Sequence, residues 1–339
     1  MSFLERAWHK QSAWLILLLP VSILFRFLAA IRRIASQPLT AKKHDVPVII
    51  VGNISVGGTG KTPLIIYLSN FLQKQGMRPG IISRGYGGRA TSYPVDIDES
   101  TAVSDCGDEP FLIAEKTSCP VVVDPDRNRA LQHLLGNHQV DVVLSDDGLQ
   151  HYKLRRDIEI AVVDGQRLFG NGFCLPAGPL REPVSRLKEV DHIVCNGAAV
   201  AEHNALHNSH MLSLKPRFLI NLESGEKRPF AGAPFDMGNR IQAVTALGNP
   251  QRFYDLLESL PYGFDCHSFA DHHAFLESDF HSKSIEVNQP IVMTEKDAVK
   301  CRSFAASNFW YLSVDVEVDE PFADTLLQQL EKINEERGA

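Results

Sequence analysis

Val46-Pro47-Val48-Ile49-Ile50-Val51, followed within four residues by Val56-Gly57-Gly58-Thr59-Gly60-Lys61-Thr62, is the stretch that decides the fold. Six consecutive residues with no polar side chain read as a strand buried on both faces, the mark of a parallel sheet. The glycines that follow free the backbone to turn its N–H groups inward. From Pro63 to Gln73, Leu64, Ile65, Leu68, Phe71 and Leu72 recur at helical spacing. Strand, glycine-rich loop and helix in that order form a phosphate-binding loop, because the helix N-terminus and the inward N–H groups attract anions. Gly57, Gly58, Thr59, Gly60, Lys61 and Thr62 are the candidate nucleotide-binding residues. Lys61 would reach the β and γ phosphates, and the Thr62 hydroxyl would ligate Mg²⁺.

The loop departs from G-x-x-x-x-G-K-[ST] at one place, where Ser55 stands at the first glycine position. Deviant loops of dimerising, membrane-associated ATPases carry a lysine just before the glycine pair, and this chain has Val56 there. A regulatory, membrane-associated P-loop ATPase is therefore the alternative reading, and the missing lysine weighs against it.

Working outward, Gly80 to Ile82, Pro120 to Val123, Val140 to Leu144, Ile158 to Val163 and His192 to Cys195 read as further strands separated by helices or loops. That alternation predicts a P-loop NTPase-like, doubly wound, mostly parallel α/β sheet. Val140 to Leu144 runs into Ser145-Asp146-Asp147, a hydrophobic strand ending in carboxylates, so Asp146 and Asp147 are the candidate Mg²⁺ ligands opposite the loop. Near Phe218 to Ala233 the pattern changes to an extended β-ribbon or hinge. Ile241 restarts an α/β pattern, with a helix over 251–260, strands at 290–293 and 309–314, and a final amphipathic helix over 321–336. The expected organisation is an N-terminal helix (1–35), a P-loop kinase domain (36–216), a ribbon linker (217–235) and a second, smaller α/β domain (236–339).

The first 35 residues differ from the rest. Ala13 to Phe25 is almost wholly apolar, with Trp8 and Trp14 near its start and Arg26, Arg32 and Arg33 at or beyond its end. The run is shorter than the roughly 20 apolar residues of a transmembrane helix. Its basic residues lie mostly behind it, opposite to a signal peptide. It reads as a membrane-associated helix lying at the interface, with a buried core helix as the ordinary alternative.

Bulk composition sets limits. The chain has 339 residues, 44% hydrophobic and 22% charged, enough for about two packed domains. A net charge of −7 argues against general nucleic-acid binding. The six cysteines form no CxxC pair, so neither a zinc site nor a disulfide framework is expected. The adjacent His272 and His273 give no metal site either, because neighbouring side chains seldom point at one ion. No obligate protein partner is evident.

Several loops carry more specific information. Ser83-Arg84-Gly85-Tyr86-Gly87-Gly88, Gly107-Asp108-Glu109-Pro110, Asp146-Asp147-Gly148-Leu149-Gln150-His151, Leu175-Pro176-Ala177-Gly178-Pro179-Leu180-Arg181-Glu182, Asp271-His272-His273 and Thr294-Glu295-Lys296-Asp297 together closely resemble the tetraacyldisaccharide 4′-kinase family, over nearly the whole chain. The resemblance implies transfer of phosphate from ATP·Mg²⁺ to the 4′-hydroxyl of a tetraacylated glucosamine disaccharide 1-phosphate, forming lipid IVA in lipid A biosynthesis. It implies work at the cytoplasmic face of the bacterial inner membrane, with a monotopic N-terminal helix. It also implies Asp108 as catalytic base supported by His272, and substrate contacts from Arg84, Tyr86, Arg127 and Arg181. Gln150 and His151 would lie beside the substrate.

Overall fold

The computed structural model describes residues 3–36, 44–197, 204–230, 240–260, 262–281, 285–286 and 288–338. The strands are β1 (Val48–Gly52), β2 (Pro79–Ser83), β3 (Val95–Asp96), β4 (Val121–Val123), β5 (Val142–Asp146), β6 (Ile158–Asp164), β7 (His192–Asn196), β8 (His210–Asn221), β9 (Lys227–Pro229), β10 (Arg240–Thr245), β11 (Gly263–Ser268), β12 (Ile291–Thr294) and β13 (Phe309–Val318). The helices are α1 (Phe3–His9), α2 (Leu19–Ser36), α3 (Lys61–Lys74), α4 (Val103–Cys106), α5 (Asp108–Lys116), α6 (Arg127–Asn137), α7 (Pro250–Leu257), α8 (Glu277–Phe280), α9 (Glu295–Cys301) and α10 (Glu320–Gly338).

Among the described residues all thirteen strands belong to one sheet, in the order β11-β10-β12-β13-β8-β7-β6-β1-β5-β2-β4-β3, with β9 added against β8. Pairing is parallel except at β8–β13, β8–β9 and β3–β4. The register of β8 explains how two parallel halves share one sheet. Its first residues pair with the end of β7, His210 opposite Val194 and Leu212 opposite Asn196. Its remaining length runs beyond β7 and pairs antiparallel with β13, from Leu212 opposite Val318 to Asn221 opposite Trp310. The start of β13 in turn lies beside β12, Phe309 opposite Ile291. The carboxyl ends of the strands in both halves therefore point into the same space, bridged by the β8–β13 ribbon. In open α/β sheets ligands bind outside the carboxyl ends of the strands.

The ribbon read locally near residue 218 is thus built mainly by a partner almost a hundred residues downstream, which short-range pattern does not disclose. Residues 231–235 of the expected linker lie outside the described residues. β3 and β11 had no clear apolar alternation and were not expected. β11 exposes Gly263, Cys266 and Ser268 along its length, as an edge strand can.

Each half buries both faces of its sheet. In the first, Ile50, Val143 and Leu131 pack on one side, and Ile49, Leu64 and Leu68 on the other. The last helix, α10, returns to the first half, where Phe322, Leu326 and Leu330 join the Ile49 side. An expected place in the second domain therefore differs from its packing. In the second half Leu219, Ala243 and Trp310 form one core, and Val244, Met293 and Phe309 the other.

Ala13–Leu18 continues into α2 as one helical stretch of 24 residues, the one helix among the described residues long and apolar enough to cross a membrane by length and composition. The uninterrupted apolar run stops at Arg26, but the helix continues through that arginine to Ser36.

Candidate active site

β1 delivers the chain into the phosphate loop at full burial, and α3 begins at Lys61. Gly57 and Gly60 have φ of 99° and 101°, a left-handed backbone that glycine alone enters without strain. At Gly60 the constraint is double, since an added Cβ would lie 2.0 Å from Asn196 Nδ2. Asn196, at the end of β7, donates that amide to the Thr59 carbonyl at 3.0 Å. The apex of the loop is thus tied to the neighbouring strand end.

β5 carries the acids. Asp146 is 3% exposed, and one of its oxygens accepts from Ser83 Oγ at 2.9 Å. Its other oxygen is buried with no partner, as is the Thr59 hydroxyl. A buried carboxylate oxygen without a partner beside a phosphate loop fits a divalent cation, so these residues suit Mg²⁺. Burial, together with the nearby Glu109 and Asp147 charges, pushes the Asp146 carboxyl upward, which a bound cation would reverse. Asp147 sits at φ 45°, an uncommon conformation for a residue with a side chain. Its carboxylate stands between Lys61 Nζ at 3.6 Å and Arg181 Nη1 at 3.1 Å. Burial opposes its charge, but those cations outweigh burial and hold it well below the ordinary carboxylate range.

The opposing half supplies the other wall. Asp108 opens α5 from the first half at 7% exposure, and His272 reaches it from the loop after β11. His272 Nδ1 lies 3.1 Å from both Asp108 oxygens. His272, like Asp147, has a left-handed backbone, φ 57°. Tyr86 covers the imidazole, ring centres 4.9 Å apart. Burial alone would raise the Asp108 carboxyl; the hydrogen bond from His272 and the charges of Lys296 and Lys300 outweigh it and hold the group at about 2. Burial would lower His272, yet its bond to Asp108 wins and raises it.

The phosphate loop, Asp146, Asp147, His272 and the acidic end of α5 border one cavity of about 1250 Å³. Arg84, Tyr86, Gln150, His151 and Arg181 border it too. Tyr86 is 65% exposed there. Gln150 donates to the Asn53 carbonyl and to Glu182. His151 is held neutral at about 4, by burial first and then by the neighbouring Arg127 charge. Arg127 touches the cavity but is 2% exposed, and its guanidinium donates to the Asp146 and Asp124 carbonyls. It braces the acid strand from behind.

Lys296, Lys300, Glu109 and Asp271 also stand at this site. Thr294-Glu295-Lys296-Asp297 and the Asp271 loop were visible as motifs, but nothing local says that a lysine near residue 296 meets an aspartate near residue 108.

A family model described as tetraacyldisaccharide-1-P 4′-kinase matches residues 14–331. The tetraacyldisaccharide 4′-kinase of Aeromonas hydrophila is 44% identical over 339 residues, covering 99% of this chain and 98% of the relative. That of Pseudomonas aeruginosa strain PAO1 is 45% identical over 320 residues, covering 93% and 94%. Among solved structures, LpxK from Aquifex aeolicus in complex with ATP superposes with a TM-score of 0.74 at 28% identity, covering 93% of this chain and 99% of that one.

Proposed function

Because the chain belongs to the tetraacyldisaccharide 4′-kinase family, and so is an ATP-dependent kinase of lipid A biosynthesis, we propose how its own residues divide that reaction. Asp108 takes the proton from the 4′-hydroxyl as the new oxygen–phosphorus bond forms and the bond to the ADP oxygen breaks. His272 orients the Asp108 carboxylate and receives part of the charge. Lys61 and the N–H groups of 57–62 hold the phosphates in line, where positioning and charge neutralisation supply most of the catalysis. Thr62, Asp146 and Asp147 would hold Mg²⁺, which neutralises charge on the transferring group. Arg84, Tyr86, Arg181, Gln150 and His151 face the acceptor sugar, and Arg127 keeps the acid strand in place. The observation that carries this reading is the shared cavity, with Lys61 and His272 on its walls and Asp108 directly behind His272, 3.1 Å from its Nδ1. The switch-type ATPase is not favoured by the family.

The N-terminal helix supports a place on the membrane surface. Trp8 Nε1 donates to the Pro176 carbonyl at 3.0 Å, Ser22 Oγ to the Cys174 carbonyl at 2.7 Å, and Arg33 pairs with Glu189. Helix α1 and the middle and end of the helical stretch thus rest on the same segment, 174–189. A spanning helix would carry Arg181, Glu182, Arg186 and Glu189 to bilayer depth, which is costly. The opposite side exposes Leu17, Leu24, Phe27 and Ile34. Lying in the interface satisfies both faces. The basic residues at and after the helix end favour the cytoplasmic side. Phe25, Leu28, Ala29 and Arg32, spaced along one helical stripe, border the catalytic cavity and would guide the acylated acceptor into it.

The direct test incubates the protein with ATP·Mg²⁺ and tetraacyldisaccharide 1-phosphate and reads the product by mass spectrometry, wild type beside Asp108→Ala. One phosphoryl group added by the wild type alone supports the assignment; normal turnover by Asp108→Ala removes Asp108 from the base role. Flotation with vesicles, for the full chain and a chain lacking residues 1–35, tests the membrane placement.

A further inference from the structure

Lys296 occupies the first turn of α9, directly after the Thr294 cap, and its side chain is 13% exposed. Its ammonium lies 2.7 Å from Glu109 Oε1, 3.8 Å from Asp108 Oδ2, 3.8 Å from Asp271 Oδ1 and 3.5 Å from His272 Nε2. Two of those neighbours open α5 in the first half, and two lie on the loop after β11 in the second. A bond made only for stability would need one carboxylate. Here three converge on one cation beside the phosphate loop.

The base of Lys296 is rigid. Asp297, fully buried, accepts from Thr245 Oγ1 at 3.1 Å, from the Ala246 N–H at 3.0 Å and from Thr294 Oγ1 at 2.7 Å, which pins α9 to the end of β10. Lys300, one turn on, stands 3.7 Å from Asp108, but its shorter contact is to Asp297 at 2.8 Å. Lys296 therefore links the two walls from a fixed platform.

We infer that Lys296 is a positioning residue for the phosphoryl transfer: its ammonium group bridges α5 and the opposing loop and sets the face that Asp108 and His272 present to the acceptor hydroxyl. The inference rests on the reading of Asp108 as the base. Around the Asp108 carboxylate stand Glu109 on α5, Lys296 and Lys300 on α9, Asp271 and His272 on the opposing loop, and Tyr86 over the imidazole. Removing the Lys296 charge leaves the Asp108–His272 pair with one cation fewer, so His272, whose protonation that charge opposes, titrates at higher pH, and the alignment loosens.

The test measures kcat and KM against pH for the full-length protein in detergent micelles, with ATP·Mg²⁺ and acylated disaccharide 1-phosphate, for wild type, Lys296→Met, Lys296→Arg and Asp108→Asn. Lys296→Met should lose about 10- to 100-fold in kcat, as misplaced catalytic groups do, with KM for ATP within about threefold. The acidic limb of its kcat/KM profile should move to higher pH. Lys296→Arg, which keeps the charge but not the compact geometry, should recover part of kcat and return the limb toward wild type. An unmoved limb in Lys296→Met, or an arginine variant no better than methionine, overturns the inference. If Lys296→Met does not fold, Lys296→Gln and Lys296→Arg give the same readout. Should Asp108→Asn turn over normally, the base reading itself fails; should it be inactive while Lys296→Met behaves as wild type, only the role of Lys296 is lost.

Discussion

Asp108 and His272 are 164 positions apart in the chain, yet His272 Nδ1 is 3.1 Å from each oxygen of the Asp108 carboxylate, across the gap between the two halves of the sheet. Asp108→Asn keeps the size of the side chain and removes its capacity to take a proton. It should lower kcat by about 10²- to 10⁴-fold, the usual range for a general base, while ATP affinity, measured by calorimetry, stays near wild type. A matched loss of ATP binding would mean that the substitution had disturbed the phosphate loop instead.

The same pair makes stability depend on pH. His272 is raised above its ordinary value of 6.5 in the folded protein, so its contribution is fully present below 6.5 and is lost as pH rises through the raised value. Asp108, held at about 2, contributes above the ordinary carboxylate value and loses that contribution only as pH falls toward 2. The melting-temperature difference between wild type and His272→Gln should therefore be largest in mildly acidic buffer and shrink on the alkaline side. A difference that grows with pH would contradict the assigned pairing.

What the sequence disclosed and what it withheld follow from the range of the interactions. The phosphate loop and the acid strand are local: apolar residues, glycines and carboxylates follow one another within 46–62 and 140–147, and the structure places Lys61 3.6 Å from Asp147. The ribbon was legible only as extended chain, because its partner β13 lies far downstream. Lys296, quoted only as part of a motif, had no assigned role, and Asn196 escaped notice, for the same reason. A lysine in the first turn of a short helix, or an asparagine ending a buried strand, has no periodic signal; its meaning comes from a neighbour set by topology. Arg127 borders the cavity as the resemblance implies, but its 2% exposure and its bonds to the Asp146 and Asp124 carbonyls depend on the packing of α6 against the acid strand, which no local pattern discloses.

Gly60→Ala should damage the protein twice. The added Cβ meets Asn196 Nδ2 at 2.0 Å, and the residue must hold φ near 101°. Strain of that kind costs about 1–3 kcal/mol, and relieving it pushes Asn196 off the Thr59 carbonyl. ATP binding should fall below detection with a lowered melting temperature. Gly76→Ala, also at positive φ but with open space around it, is the control: its melting temperature should fall while ATP binding persists.

Arg252 on α7 gives the sharpest test of how the second half senses the nucleotide loop. Its guanidinium donates to the carbonyl of Asn196, reaches the Thr59 carbonyl at 3.5 Å, and pairs with Asp164 Oδ1 at 3.4 Å. Asp164 keeps three other donors, Asn249 Nδ2 at 3.0 Å and the N–H groups of Gln166 and Arg167. Breaking a buried pair outright costs about 3–5 kcal/mol; with those donors retained, Arg252→Ala should cost about 2 kcal/mol in denaturant unfolding. The functional loss should fall on ATP, because the apex of the phosphate loop loses one of the two side chains that hold the Thr59 carbonyl. KM for ATP should therefore rise by a larger factor than kcat falls. Arg252→Ala and Asp164→Asn should be non-additive by about 1 kcal/mol or more in a double-mutant cycle, because each removes the same ion pair; additive effects would mean that Arg252 acts through its bonds to the Asn196 and Thr59 carbonyls and not through Asp164.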